Sequence, residues 1–315
     1  MEQLRFDGKV AIVTGAGGGL GRAYAKLLAA RGARVLVNDL GGDTMGKGAD
    51  PGYAEAVAAE IRAEGGMAQS DPHSVAEPKA AAAIVQHAMD LWGQVDILVN
   101  NAGVVTSTGT LDQVSDQNFH TDLYSAAGGT FHLMRAVWRQ MWDRNYGRIV
   151  NVASGSFFGM GSAVPYPAAK GAVIGMTRGT AVAAQLRERN LRINVIMPIS
   201  RSRMTVHMGE EVDAAMERYF PPEAVAPVVA LLAHERCPCN GEIFSVGGGG
   251  FRRIFLGATP GYQQPEGTPL TIEDALAHFP EAMDTAGYQI PQHALEEAAM
   301  YPGKVDWGVF LQFIA

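Results

Sequence analysis

The sequence predicts an α/β fold over residues 1–250, a doubly wound parallel sheet of seven strands with helices on both faces, followed by an extension over residues 251–315. Three observations predict it. Short apolar, β-branched runs such as Lys9–Thr14, Val95–Val99 and Leu191–Met197 read as strands buried on both faces, the signature of parallel sheets. Alanine- and leucine-rich segments of about ten or more residues separate these runs, so the connections are helical crossovers rather than hairpins. A glycine-rich turn, Thr14–Gly21, joins the first strand to the first helix.

The bulk numbers narrow the function classes. A chain of 315 residues holds one large α/β domain or two small ones. Lysine plus arginine number 25 against 32 aspartates and glutamates, a net charge of −7 that disfavours a nucleic-acid partner. Cys237 and Cys239 are too few for a disulfide framework and wrong for a zinc quartet, so no metal is expected and a reducing, cytoplasmic setting fits. Residues 1–8 lack the order of a signal peptide, and no apolar run approaches the ~20 residues of a membrane span, so no membrane insertion is expected. Internal repeats are absent.

Taken in order, Lys9–Thr14 is the first strand and Arg22–Arg31 the body of the first helix, closed by Gly32. Strand, glycine turn and helix together form a phosphate-binding loop: glycine lets the backbone approach a pyrophosphate, and the helix N-terminus supplies amides and partial positive charge. Gly15, Gly19 and Gly21 are the expected essential glycines, with Leu20 between them. Arg34–Asn38 is the second strand. Asp39 at its end is placed to accept the adenosine ribose hydroxyls and repel a 2′-phosphate, which selects NAD over NADP. Residues 41–52 form a long polar loop, 53–64 a helix, and 67–70 a third strand with Asp71 or Ser74 beyond it to touch the adenine. A helix over 79–92 leads to the fourth strand, Val95–Val99, and to Asn100-Asn101-Ala102-Gly103.

In the second half, residues 116–144 read as one long helix with Asp112 or Ser115 as its cap. Arg148–Ala153 is the fifth strand, and Ser154 lies at its C-terminal end, where open α/β sheets bind ligands. Tyr166 and Lys170 are four apart, one turn apart on one helical face. At ~4 Å and an effective dielectric of ~20, their attraction is worth roughly 4 kcal/mol, or about three pK units off a phenol that normally titrates near ~10. Alone, such a pair in a chain with nine tyrosines is weak evidence. The helix runs to about Arg189, and Leu191–Met197 is the sixth strand; Pro198 and Ile199 follow. Arg201 and Arg203 read as solvated or ion-paired loop arginines, with a substrate phosphate as the alternative. Residues 204–219, with Met204, Met208 and Met216, read as a substrate lid or core filling. A helix over 223–234 and a strand over 242–246 complete the sheet; in the extension, Thr271–Asp274 resembles a capping box.

Thr14-Gly-x-x-x-Gly-x-Gly21, Asn100-Asn-Ala-Gly103, Ser154 and Tyr166-x-x-x-Lys170, in that order, resemble the short-chain dehydrogenase/reductase family over residues 5–250. More narrowly, Val37–Gly42, Asn145–Ile149, Ser202–Thr205 and Asn240–Gly247 are similar to the (3R)-hydroxyacyl-CoA dehydrogenase domains of peroxisomal multifunctional enzymes. The resemblance implies a Rossmann-type sheet, NAD as cofactor, and interconversion of a secondary alcohol and a ketone on a 3-hydroxyacyl-CoA of fatty or steroid-side-chain type. A free hydroxysteroid or other apolar alcohol is the alternative substrate. It further implies that Ser154 hydrogen-bonds the substrate oxygen, with Ser156 as fallback, that Tyr166 is the general base, and that Lys170 lowers the phenol pKa and holds the nicotinamide ribose. Asn101, Ala102, Gly103 and the Ile199 backbone join the cofactor contacts, and a homodimer or homotetramer is implied. The chain departs from the family at Ala126, seven residues after Phe119, where an asparagine normally bends the helix and holds a relay water. Alanine offers no side-chain hydrogen bond, so a nucleotide-binding regulatory subunit is the non-enzyme alternative.

Overall fold

Strands β1 (Val10–Thr14), β2 (Arg34–Asn38), β3 (Met67–Asp71), β4 (Ile97–Asn100), β5 (Gly147–Val152), β6 (Leu191–Pro198), β7 (Ile243–Gly247) and β8 (Gly250–Ile254) form one sheet. Its order is β3-β2-β1-β4-β5-β6-β7-β8, and the first seven strands are parallel. The structure, a computed structural model, describes residues 2–43, 45–202 and 209–301. Two compact units are present, Met1–Arg253 and Ile254–Ala315.

Strand periodicity explains how the sheet is covered. Successive side chains point to opposite faces, so Ala11 and Val13 of β1 pack with helices α1 (Gly19–Ala30) and α2 (Gly52–Ala63), while Val10 and Ile12 pack with α3 (Pro78–Trp92). All four residues are fully buried. At the ends of α3, Pro78 occupies the first turn, where no amide partner is needed, and Gly93 takes the left-handed conformation (φ 76°) that closes the helix. The strand order reverses between β1 and β4, the switch point at which such sheets bind ligands beyond their strand ends.

Two departures from the sequence reading matter. The expected single helix over 116–144 is α4 (Asp116–Leu123), a π turn over Tyr124–Gly128, and α5 (Gly129–Asp143). Ser115 caps α4, its hydroxyl accepting the Asn118 amide at 3.1 Å. A π turn inserts one residue into the helical ladder and is frequent at functional sites. The second departure is β8. Gly248 (φ 56°) and Gly249 (φ 77°) form a two-residue turn that reverses the chain, so β8 runs antiparallel beside β7. The sheet is therefore one strand wider than expected.

Helix α6 (Pro165–Leu186) covers β5 and β6, and α7 (Glu210–Tyr219) and α8 (Ala226–Ala233) precede β7. Among the described residues, no helix is long and apolar enough to cross a membrane. The second unit carries α9 (Ile272–Ala277), α10 (Phe279–Met283) and α11 (Ala294–Ala298), with an antiparallel bridge between Ala258 and Gln289. Thr271 and Asp274 form the capping box at α9, the Thr271 hydroxyl accepting the Asp274 amide at 3.1 Å.

Candidate active site

The cradle begins where β1 ends. Gly15 (φ 61°) and Gly19 (φ 50°) turn the chain into α1. A Cβ on Gly15 would stand 2.9 Å from Ala102 Cα, and one on Gly21 would overlap the Gly15 carbonyl oxygen, so neither position accommodates a side chain. Gly18 caps α1 without a side-chain bond, which leaves first-turn amides free to meet an anion. Leu20 packs half-buried against the core. From β4, Asn101 Nδ2 donates to the Thr14 and Gly15 carbonyls at 3.0 Å each, and Thr14 Oγ1 accepts the Asn101 and Ala102 amides at 3.1 Å each. The loop after β4 thus fixes the glycine turn. Asp39 lies beside that turn, Oδ2 accepting the Gly17 amide at 2.8 Å and Oδ1 the Gly41 amide at 2.7 Å. Uncapped first-turn amides, side-chain-free glycines and an acid at the end of β2 fit a dinucleotide.

Asp71 ends β3. Its carboxylate is fully buried and accepts Asn38 Nδ2 at 2.9 Å, the His73 amide at 3.0 Å, and contacts from the His87 and His73 rings at 2.9 and 3.1 Å. Burial pushes its pKa up, but these hydrogen bonds outweigh it and hold the group below the usual carboxylate range. Its oxygens are thus engaged by Asn38, His73 and His87 at the end of β3. Ser74 follows on the same loop, its hydroxyl accepting the Ala76 amide at 3.2 Å. At the far end, the Ile199 amide donates to Val246 at 2.7 Å, and the side chain is half exposed at the ligand edge. Arg201 pairs with Asp213 through two 2.7 Å contacts, the ion-paired alternative. Arg203, Met204 and Met208 lie outside the described residues; Met216 is on α7, which buries none of its residues.

The candidate catalytic residues lie just after β5 and on α6. Ser154 caps a short 3-10 turn, Gly155–Phe158, its hydroxyl accepting the Ser156 amide at 3.1 Å. The Ser154 hydroxyl also acts on the Tyr166 phenol, favouring its ionised form. Ser156 is buried, and its own hydroxyl has no protein partner. Lys170, one turn after Tyr166, is 4% exposed. Its Nζ donates to the Val152 carbonyl at 2.7 Å and lies 5.5 Å from the Tyr166 ring centre. Burial brings this ammonium down to about 8. The phenol moves the other way from the sequence expectation: burial raises its pKa, the Ser154 hydrogen bond opposes that, and the charge of Asp122 adds to it. The ammonium reaches the β5 carbonyl rather than the phenolic oxygen, so desolvation dominates.

Ala126 is buried within the π turn, its Cβ 3.4 Å from where a Cβ on Gly103 would lie, and that point is 3.7 Å from Lys170 Nζ. The bend is kept although the asparagine is not. Asp122 is fully buried, and its charge raises the Tyr166 pKa. It precedes Ala126 by four residues, and residues four apart share a helical face; that spacing was the available signal.

The family model for short chain dehydrogenases matches residues 9–213. Peroxisomal multifunctional enzyme type 2 of Mus musculus is 38% identical over 292 residues, 92% of this chain but 38% of that protein. The chain thus spans well under half of this relative. A short-chain type dehydrogenase/reductase of Mycobacterium tuberculosis is 38% identical over 283 residues, covering 90% of this chain and 96% of that one. The crystal structure of a short chain dehydrogenase from Mycobacterium avium superposes with a TM-score of 0.73 at 33% identity, over 89% of this chain and 97% of that chain.

Proposed function

The chain belongs to the short-chain dehydrogenase family, and from that premise we propose that it is an NAD-dependent dehydrogenase interconverting a secondary alcohol and a ketone on a 3-hydroxyacyl-CoA. The observation that carries this is the convergence of Ser154, Tyr166 and Lys170 beside Gly103, at the strand ends next to the glycine turn. The nicotinamide supplies the hydride acceptor in the oxidation direction. Ser154 holds the substrate oxygen, Tyr166 takes its proton, and Lys170, tethered to Val152, holds the cofactor ribose and a positive charge near the phenol. Ile199 and Gly103 contribute backbone to the nicotinamide side. The names of the relatives support the thioester class: multifunctional peroxisomal enzymes and, at 39% identity, a hydratase-dehydrogenase-epimerase of Neurospora crassa.

A panel of 3-hydroxyacyl-CoA thioesters and free hydroxysteroids, followed by absorbance of the reduced cofactor, tests the substrate class. Turnover is expected with a thioester; turnover confined to free alcohols would overturn the thioester assignment and leave the dehydrogenase standing. NAD is the expected cofactor because the Asp39 carboxylate stands beside the glycine turn with Leu40, Gly41 and Gly42 after it, and no arginine or lysine among them to meet a 2′-phosphate. Wild-type kcat/KM is expected to favour NAD over NADP by about 100-fold, and Asp39→Ala to narrow the ratio by at least ~10-fold, the scale of removing one repulsive charge contact. A wild-type preference for NADP would remove that role from Asp39.

A further inference from the structure

The buried carboxylate of Asp122 has no part in the assignments above, yet it is one of the most heavily hydrogen-bonded side chains near the phenol. One oxygen accepts the Thr106 amide at 2.6 Å and the Thr106 hydroxyl at 2.8 Å. The other accepts the Ser107 amide at 3.2 Å and the Ser107 hydroxyl in a very short contact. All three residues are buried. Four donors on one carboxylate satisfy a charge that burial would otherwise make costly, and charge-assisted bonds of this kind are the strong ones.

What those donors belong to gives the arrangement its meaning. Thr106 and Ser107 are the middle of the segment between Gly103 and Gly109. At one end, Gly103 lies against Lys170 Nζ and Ala126. At the other, the Gly109 carbonyl accepts the Ala163 amide at 3.2 Å, three residues before Tyr166. Asn118 Nδ2, one turn earlier on α4, donates to the Thr106 carbonyl at 3.0 Å, and Ser125 Oγ in the π turn accepts the Val104 amide at 3.3 Å. The segment therefore runs past Tyr166 from its lysine side to its entry side, fastened along its length to α4 and the π turn.

We propose that Asp122 is a positioning residue of the reaction: it clamps Thr106–Ser107 so that residues 103–109 form a fixed wall for the substrate beside Tyr166, and it places a buried negative charge near the phenol. The proposal rests on Tyr166 being the base. Among the described residues, the charged groups beside that phenol are Lys170 on its own helix and Asp122 on α4; Ser154, just after β5, is the neutral hydroxyl. An amide in place of the carboxylate keeps the size but turns N–H groups toward two of the donors, so the clamp opens on one side.

Three measurements test it. Hydrogen exchange of the 103–110 segment reads the clamp without any chemistry: the Thr106 and Ser107 amides are expected to exchange at least ~10-fold faster in Asp122→Asn, the scale of losing a bond to a charged acceptor. The KM for the thioester is expected to rise by about 10-fold with a smaller change in kcat, as for lost positioning. The acid limb of the oxidation profile is expected to move to lower pH in Asp122→Asn, because removing the negative charge eases ionisation of Tyr166, and to stay in place in Ser107→Ala, which weakens the clamp but leaves the charge. Unchanged exchange and KM in a folded Asp122→Asn would overturn the clamp, and an unmoved acid limb would overturn the electrostatic part. Should Asp122→Asn not fold, Ser107→Ala with Thr106→Val decides: unchanged exchange and KM there overturn the clamp equally. If Tyr166→Phe retains full turnover, the base assignment fails, while the exchange result still judges the clamp.

Discussion

Tyr166→Phe is expected to lower kcat for alcohol oxidation by about 10³-fold while leaving cofactor affinity and the melting temperature nearly unchanged. The substitution deletes one oxygen. The cradle formed by Gly15, Gly21, Asn101 and Asp39 makes no contact through it, and among the described residues its influence is on the neighbouring Ser154 hydroxyl, so the stability cost is about 1 kcal/mol at most. The wild-type profile carries the corresponding sign. Oxidation needs the phenolate, so its rate rises with pH through the titration of Tyr166; ketone reduction needs the phenol and falls over the same interval. Because burial raises this pKa, alkaline pH favours oxidation until cofactor charge and Lys170 offset the shift. A Tyr166→Phe enzyme with undiminished kcat would remove the phenol from the mechanism.

Lys170→Met is expected to abolish turnover by about 10³-fold and yet to give a protein at least as stable as wild type at pH 7. The reason is the depressed pKa. The ammonium titrates at about 8 in the folded chain against 10.5 for the free side chain, and that difference corresponds to about 3 kcal/mol spent keeping it charged in a buried site at neutral pH. Methionine fills similar volume without a charge and forfeits the Val152 hydrogen bond, about 1 to 2 kcal/mol, so a small net gain remains. The pH dependence gives a second check. Between about 8 and 10.5 the unfolded chain holds the proton that the folded chain has released, so wild-type stability rises with pH in that window and is lost again as pH falls through about 8. The advantage of Lys170→Met should therefore shrink as pH rises toward 10.5. A variant that melts well below wild type at pH 7 would mean that the lysine stabilises the fold rather than straining it.

The parallel core was legible because strands buried on both faces are short, largely apolar and β-branched runs, and β1, β4 and β6 each read that way. The glycine turn was legible for a related reason: Gly15 and Gly21 occupy positions from which backbone atoms exclude a Cβ, so the chain has no other residue to put there. Three features were not. The Tyr124–Gly128 π turn leaves the apolar spacing of the helix almost intact, and Ser-Ala-Ala-Gly-Gly signals weak helix rather than a wider turn. Asp122 carries no motif of its own, and only its four-residue spacing from Ala126 puts the two on one helical face. The direction of the Tyr166 shift depends on how deeply the phenol is buried and where the Lys170 ammonium points, and neither is written in a four-residue spacing.

The Gly248–Gly249 reversal has a consequence for how the sheet meets its surroundings. Without β8, the outer edge of β7 would offer a row of unpaired amides and carbonyls, a template onto which any extended strand could add. The hairpin fills that row from within the chain, and the new outer strand is poorly suited to recruiting another. It is five residues long, begins with glycine, and carries Arg252 and Arg253 side by side, with Arg253 held to Glu242 by contacts of 2.7 and 2.8 Å. Short, charged edges resist edge-to-edge growth. A pair of glycines at the end of the last parallel strand thus acts as a stopper, protecting a slow-forming parallel sheet from aggregation along that side.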